Sequence, residues 1–166
     1  MLEFDPSTPY ERLIRDFALE CVSHNEEMVV LAKKGSVVRQ ALEGEKGVEL
    51  IDLTTERART EDSVVQWIMA SSASPRPKII SSILGNHPEK ILNLVFDLTD
   101  IALTTNIQNT YRFAQRATEL LASPRITSIF LLNSSAHEAR DVSMLRGLFS
   151  NQLSFGREGV VGVKVI

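Results

Sequence analysis

The sequence predicts an α/β domain with a mainly parallel sheet whose last two strands fold back as a hairpin. Three observations carry this expectation. A continuously apolar run at 28–32 reads as a strand covered on both faces, as in parallel sheets, and mostly apolar runs at 91–97 and 126–132 read as further strands. Segments with apolar residues at helical spacing lie between them, the pattern of crossover helices. The tail holds two further strand-like runs, at 152–155 and 160–166, joined by Gly156, Arg157, Glu158 and Gly159 as a hairpin connection.

In chain order, Thr8 reads as a helix N-cap, with Pro9 at the first helical position and Glu11 placed to reciprocate. Tyr10, Leu13, Ile14, Phe17, Ala18 and Cys21 then form one apolar face of a helix over 9–23. His24, Asn25 and Glu26 make a polar turn before the strand at 28–32. Lys33, Lys34, Gly35 and Ser36 close that strand and cap a helix carrying Val37, Val38, Ala41 and Leu42, with Gly44 and Gly47 bracketing its exit. A strand is expected at 48–53. Next comes a helix with Val64, Val65, Ile68 and Met69 inward and Trp67 at the edge of that face. Residues 71–77 carry two prolines one residue apart and read as a connection. Ile79, Ile80, Ile83 and Leu84 suggest a short helix ended by Gly85, Asn86, His87 and Pro88. The run at 91–97 is an apolar strand ending on Asp97. The loop Thr104, Thr105 and Asn106 precedes a helix over 107–122, striped by Ile107, Tyr111, Ala114, Thr118 and Leu121.

The chain has 166 residues, 43% hydrophobic and 23% charged, so a single domain over 1–166 is expected. No stretch approaches the roughly 20 apolar residues of a membrane span. The first residues carry acids rather than a basic, apolar leader, which points to a cytoplasmic protein. One cysteine, Cys21, and three histidines give no set of metal ligands, so no metal and no cofactor are expected. Cys21 falls on the helix's apolar stripe, where a buried thiol is inert. A net charge of −3, with 18 basic residues scattered along the chain, provides no footprint for nucleic acid.

Ligands of open α/β sheets sit at the carboxyl ends of the strands. Here those positions hold Lys33 and Lys34, Asp52, Asp97 with Thr99 and Asp100, and Asn133 with Ser134 and Ser135. An apolar strand ending in Asp97 suits a Mg²⁺–nucleotide site, because the carboxylate emerges beside the phosphates. It equally suits a turn or a helix cap. His24 and His87 read as solvated turn residues, while His137, after the strand at 126–132, is placed to approach Asp97.

The order of elements resembles the archaeal RecA-type ATPases of the KaiC and GvpD group. The residues that carry the resemblance are 13–17 in the opening helix, the strand at 28–32, the Walker-B-like Leu94-Val95-Phe96-Asp97-Leu98-Thr99, Tyr111-Arg112-Phe113, and the strand at 126–132. The resemblance implies a three-layer RecA-like domain with helices on both sides of the sheet. It also implies a phosphate-binding glycine loop before the first helix and a glutamate pair at the next strand end that activates water. This chain departs from both. It has no glycine before Gly35, and residues 5–11 read Asp-Pro-Ser-Thr-Pro-Tyr-Glu, with Tyr10 and Glu11 where the lysine and hydroxyl residue would fall. Lys33 and Lys34 stand where the glutamates would be, with the opposite charge.

The expected function is therefore a RecA-like domain that has lost nucleotide hydrolysis and serves as a regulatory or protein-interaction module. Its partner would be another RecA-like subunit, itself included. One alternative is a receiver-like signalling domain with Asp97 or Asp52 as phosphoacceptor. Another is a small-molecule or nucleotide binder using the cleft around Lys33, Lys34, Asp97, Asn133 and His137.

Overall fold

Strand β1 (Leu2–Phe4) occupies the interior of the sheet although it is only three residues long. It pairs in parallel with two neighbours at once, Leu2 facing Leu131 on one side and Leu153 on the other. No periodicity is readable over so few residues, and the sequence gives no sign of this strand. The computed structural model describes residues 1–52 and 78–164. The expected helix carrying Val64 to Met69, the connection at 71–77 and the end of the last strand lie outside them.

After β1 come α1 (Tyr10–Ser23), β2 (Glu27–Ala32), α2 (Val37–Leu42) and β3 (Val48–Asp52). The second part contains α3 (Lys78–Asn86), β4 (Leu92–Asp97), α4 (Leu98–Thr104), α5 (Ile107–Leu120) and β5 (Ile126–Asn133). A 3-10 turn (Ser134–Ala136), α6 (Ala139–Arg146), β6 (Gln152–Gly156) and β7 (Gly159–Lys164) complete it. The seven strands run in the order β3-β2-β4-β5-β1-β6-β7, all parallel except β7, which returns antiparallel on β6. The mainly parallel sheet with a terminal hairpin is the expected one.

Strand alternation sorts the core into two layers. Met28, Val30, Ala32, Val95, Leu131, Leu2 and Phe4 pack on Ile14 and Ala18 of α1 and on Val38 and Leu42 of α2. Val29, Leu31, Leu94, Phe96, Phe130 and Leu132 face the other way, onto α3, α4, α5 and α6. Phe96 stacks on Phe130 at 4.9 Å and meets Phe113 of α5 edge-on at 5.6 Å. Burying both faces explains why β2 and β4 read as apolar runs rather than alternating ones.

Several local expectations are corrected. Thr8 does not cap α1: the helix begins at Tyr10, and the Thr8 hydroxyl instead donates to the Asp5 carbonyl at 2.6 Å. Of the apolar residues that α2 carries, Val38 and Leu42 turn fully inward and Val37 is half exposed, a distinction not legible in the sequence. The buried stripe of α5 runs through Thr110, Phe113, Ala114 and Ala117, with Ile107 and Tyr111 at its margin and Thr118 only half-buried. Helices α4 and α6 were not legible as separate elements. The expected cap at Ser36 is present, and Asn106, expected only as part of a loop, caps α5 in the same way, each side chain accepting a backbone N–H three residues on. Gly47 at the exit of α2 has φ +85°, and a Cβ there would come within 2.9 Å of Val22, so only glycine fits without displacement.

Candidate functional site

The carboxyl ends of β1, β2, β4 and β5 converge on one rim of the sheet. Asp97 closes β4 and is 5% exposed. Its Oδ1 accepts the Asp100 N–H at 3.0 Å, so this carboxylate is the N-cap of α4. Burial, then the negative charge of Asp100, push its carboxyl up to about 7, against the opposing backbone N–H bonds of Asp100 and Thr99. Asp100 accepts the Lys33 N–H at 2.9 Å through Oδ2, tying the end of β2 to the first turn of α4. Burial raises its carboxyl as well, and the Lys33 N–H and charge work in the other direction.

One residue before Asp100, Thr99 joins the remaining candidates. Its Oγ1 accepts the Asn133 N–H at 2.9 Å and lies 3.3 Å from His137 Nε2. Asn133 Oδ1 takes the N–H and hydroxyl of Ser135, at 3.1 and 2.7 Å, which shapes the turn after β5. Partial burial pulls the His137 imidazole below its ordinary pKa, favouring the neutral ring. The rim therefore holds Lys33, Asp97 and Asp100 as one group and Thr99, Asn133 and His137 as another, both anchored on the first turn of α4. His137 meets Thr99 and not Asp97. Lys34 belongs to neither, since its N–H donates to Asp52 Oδ1 at 3.1 Å at the end of β3. The side chains of Lys33 and Lys34 are exposed.

The loop from β1 to α1 is closed on itself. Asp5 N–H donates to the Phe155 carbonyl, Ser7 N–H to Asp5 Oδ1, Thr8 N–H to the Asp5 carbonyl and Tyr10 N–H to the Thr8 carbonyl. Pro6 and Pro9 have no N–H. Every backbone donor from Asp5 to Tyr10 is thus engaged within the fold. None of these residues has the positive φ that lets successive amides curl around an anion. The Tyr10 ring stacks on Phe4 with centroids 3.8 Å apart. Burial and the charges of Asp97, Glu11 and Asp100 push its hydroxyl up to about 12, so it stays neutral.

Two cavities lie beside β1, of which only the polar one borders this loop. A polar one of about 430 Å³ is lined by residues including Glu3, Asp5, Ser134, Ser135 and Ser154. A largely apolar one of about 360 Å³ lies between Leu13 and Phe17 of α1 and Leu153 and Val160 of the hairpin. His87 is not solvated as expected. Its side chain is only 14% exposed, with Nε2 3.1 Å from Glu49 and Nδ1 3.5 Å from Glu27, because the turn after α3 folds back over the starts of β2 and β3. Cys21 is buried as expected, and burial with the neighbouring Glu26 pushes its thiol up to about 11. Among the described residues no three His, Cys, Asp or Glu side chains gather to hold a metal ion, and no helix is long and apolar enough to cross a membrane.

The Tyr10–Phe4 stack and the Thr99 junction escaped the sequence. Aromatics on either side of a Pro-Ser-Thr-Pro loop were the available signal for the first. Nothing local announces the second, whose partners are 34 and 38 residues away.

No protein-family model matches the chain, and no curated protein matches it. Solved structures do. The Pyrococcus horikoshii OT3 protein studied as Project ID PH0250 superposes with a TM-score of 0.66 at 9% identity, over 99% of this chain and 85% of that one. Flagellar accessory protein FlaH from Methanocaldococcus jannaschii superposes with a TM-score of 0.59 at 10% identity, over 99% of this chain and 76% of that one. At such identities the likeness is one of fold, and the fold, a mainly parallel sheet between two helical layers with a closing hairpin, is RecA-like.

Proposed function

We propose that this chain is a non-catalytic RecA-like domain that acts through protein contacts, with nucleotide hydrolysis lost. The observation that carries the reading is the closed loop between β1 and α1. A phosphate cradle needs several free N–H groups aimed at one point, commonly with a lysine beside them. Here two prolines lack the donor, the remaining N–H groups from Asp5 to Tyr10 are engaged internally, and the Asp5 carboxylate sits among them. At the loop's far end stands a neutral tyrosine stacked on Phe4. The rim beyond it supports the same reading. Asp97 is engaged in capping α4, and Lys33 and Lys34 occupy the end of β2, where a water-activating base would be a carboxylate.

A RecA-like fold without hydrolysis retains its surfaces, and contacts with another subunit, a second copy included, are the role left to it. The reading is tested by following phosphate release from Mg·ATP and Mg·GTP with purified protein. The expected rate equals that of a protein-free blank. Turnover near an ordinary enzymatic value of about 1–10 per second would overturn it.

A further inference from the structure

Neighbouring strands β1 and β5 send the chain to opposite faces of the sheet, β1 into α1 and β5 through the 3-10 turn into α6. Exits that diverge in this way open a crevice at the carboxyl ends, where open α/β sheets take their ligands. The polar cavity of about 430 Å³ stands there, within the range of about 300–1,000 Å³ that small molecules fill. Glu3 and Ser154, cross-strand partners on β1 and β6, share one face of the sheet and form its floor. Asp5 of the loop between β1 and α1 borders it on one side, Ser134 and Ser135 of the 3-10 turn on the other. Gly156 lies two residues past Ser154 on the same face, and a Cβ there would meet nothing within 4 Å, so glycine leaves the cavity open above Ser154.

We propose that this cavity binds a neutral, polyhydroxylated molecule the size of a sugar ring. The site goes beyond the reading of the chain as a contact module and does not depend on it.

Charge and hydrogen bonding together select that class. Among the described residues the ionisable groups lining the cavity are two carboxylates, Glu3 and Asp5, and the loop between β1 and α1 has no N–H free, so a phosphate meets repulsion and no donors from it. An ammonium ion gains little, because each carboxylate already has a cation beside it. Arg146 donates to both oxygens of Glu3 at 2.6 and 2.7 Å. Hydrogen bonds from Ser7 and then the charge of Arg157 hold the Asp5 carboxyl low. What is left is hydrogen-bonding capacity with its charge balanced. A carboxylate has about four acceptor sites, of which Arg146 fills two on Glu3, while Ser7 occupies only Oδ1 of Asp5. The half-buried hydroxyls of Ser134 and Ser154 have no hydrogen-bond partner among the described residues, and each can donate and accept. Adjacent hydroxyl groups on one ring, which donate to the carboxylates and exchange bonds with the serines, match this set on both counts.

Calorimetric titration and backbone amide spectra with D-ribose, D-glucose and myo-inositol test the proposal, with ethanolamine and inorganic phosphate as charged probes. The expected result is saturable binding of at least one polyol with a Kd of about 0.1–5 mM, shifting the amides of Ser134, Ser135 and Ser154, and no binding of the charged probes in that range. Ser154→Val removes a hydroxyl that nothing in the fold uses and weakens binding about tenfold. Gly156→Leu sets a side chain over Ser154 and abolishes it. Both variants melt within about 2 °C of the parent, so the loss is one of binding and not of folding. Failure of all three polyols to bind below about 10 mM overturns the proposal. So do shifts confined to other parts of the molecule, binding indifferent to both substitutions, or a charged probe that binds as tightly as the polyols. Phosphate release from Mg·ATP bears on the lost hydrolysis alone, since turnover would defeat that reading and leave a polyol bound at this cavity in place.

Discussion

Tyr10, the first residue of α1, lies face to face with Phe4, the last residue of β1, with ring centroids 3.8 Å apart and planes inclined by 16°. The five intervening residues are thereby folded into a tight arch, held from within by the Asp5 carboxylate and carbonyl. This pairing closes the connection between the sheet and its first helix.

Tyr10→Ala is expected to lower stability by roughly 2–3 kcal/mol, from lost ring burial and the lost stack. Tyr10→Phe keeps both and should cost less than about 1 kcal/mol. Urea denaturation followed by circular dichroism checks both variants. Equal effects would show that the ring contact carries no stability.

Asp97 gives the protein a particular pH dependence. Its folded pKa of about 7 lies above the ordinary carboxylate value, so the folded state holds a proton that the unfolded chain has released. Its contribution to stability is complete below about pH 4 and is lost as pH rises through 7. Asp97→Asn keeps an oxygen for the Asp100 N–H and removes the charge. The variant should match the parent near pH 4 and exceed it by roughly 1–3 kcal/mol at pH 8, read from melting curves across that range. A variant less stable at pH 8 would contradict this.

Arg146 of α6 reaches across to β1. Its Nε and Nη2 donate to the two carboxylate oxygens of Glu3 at 2.6 and 2.7 Å, while the Glu3 side chain is 10% exposed. Arg146→Ala leaves that carboxylate nearly buried and unpaired. The expected cost is roughly 2 kcal/mol, reduced from that of a fully buried pair because the arginine is 45% exposed. Adding Glu3→Gln to Arg146→Ala should recover part of the loss, which a double-mutant cycle in urea measures.

Cys21 lies on the inner face of α1 with its thiol pushed up to about 11. Native protein at pH 8 should react with an aromatic disulfide reagent only at the rate of unfolding, and promptly once denatured in urea. Rapid labelling of the native protein would place the thiol at the surface.

The apolar runs that became β2 and β4 were legible because burial on both faces leaves a mostly apolar signature, β5 was legible from Ile129 to Leu132, and the hairpin turn was legible from its glycines. Strand β1 was not, since its place in the sheet is set by β5 and β6, which lie far along the chain. Helix α4 was hidden because Asp97 ends one element and caps the next with no residue between. Helix α6 buries only Val142 and Leu145, too few to show a period. At the rim, Lys33, Asp97 and Asn133 stand at strand ends and His137 one short turn beyond, positions that follow from the topology. Their partner in each case is a residue of the α4 turn, and such side-chain pairings depend on tertiary placement.

The central claim is that the arch between Phe4 and Tyr10 has no donors free for a phosphate. Titration of Mg·ATP into isotopically labelled protein, followed through the backbone amide resonances of Ser7, Thr8 and Tyr10, tests it directly. The account predicts that these resonances stay in place up to millimolar nucleotide. Saturable shifts of all three at micromolar ATP would contradict it.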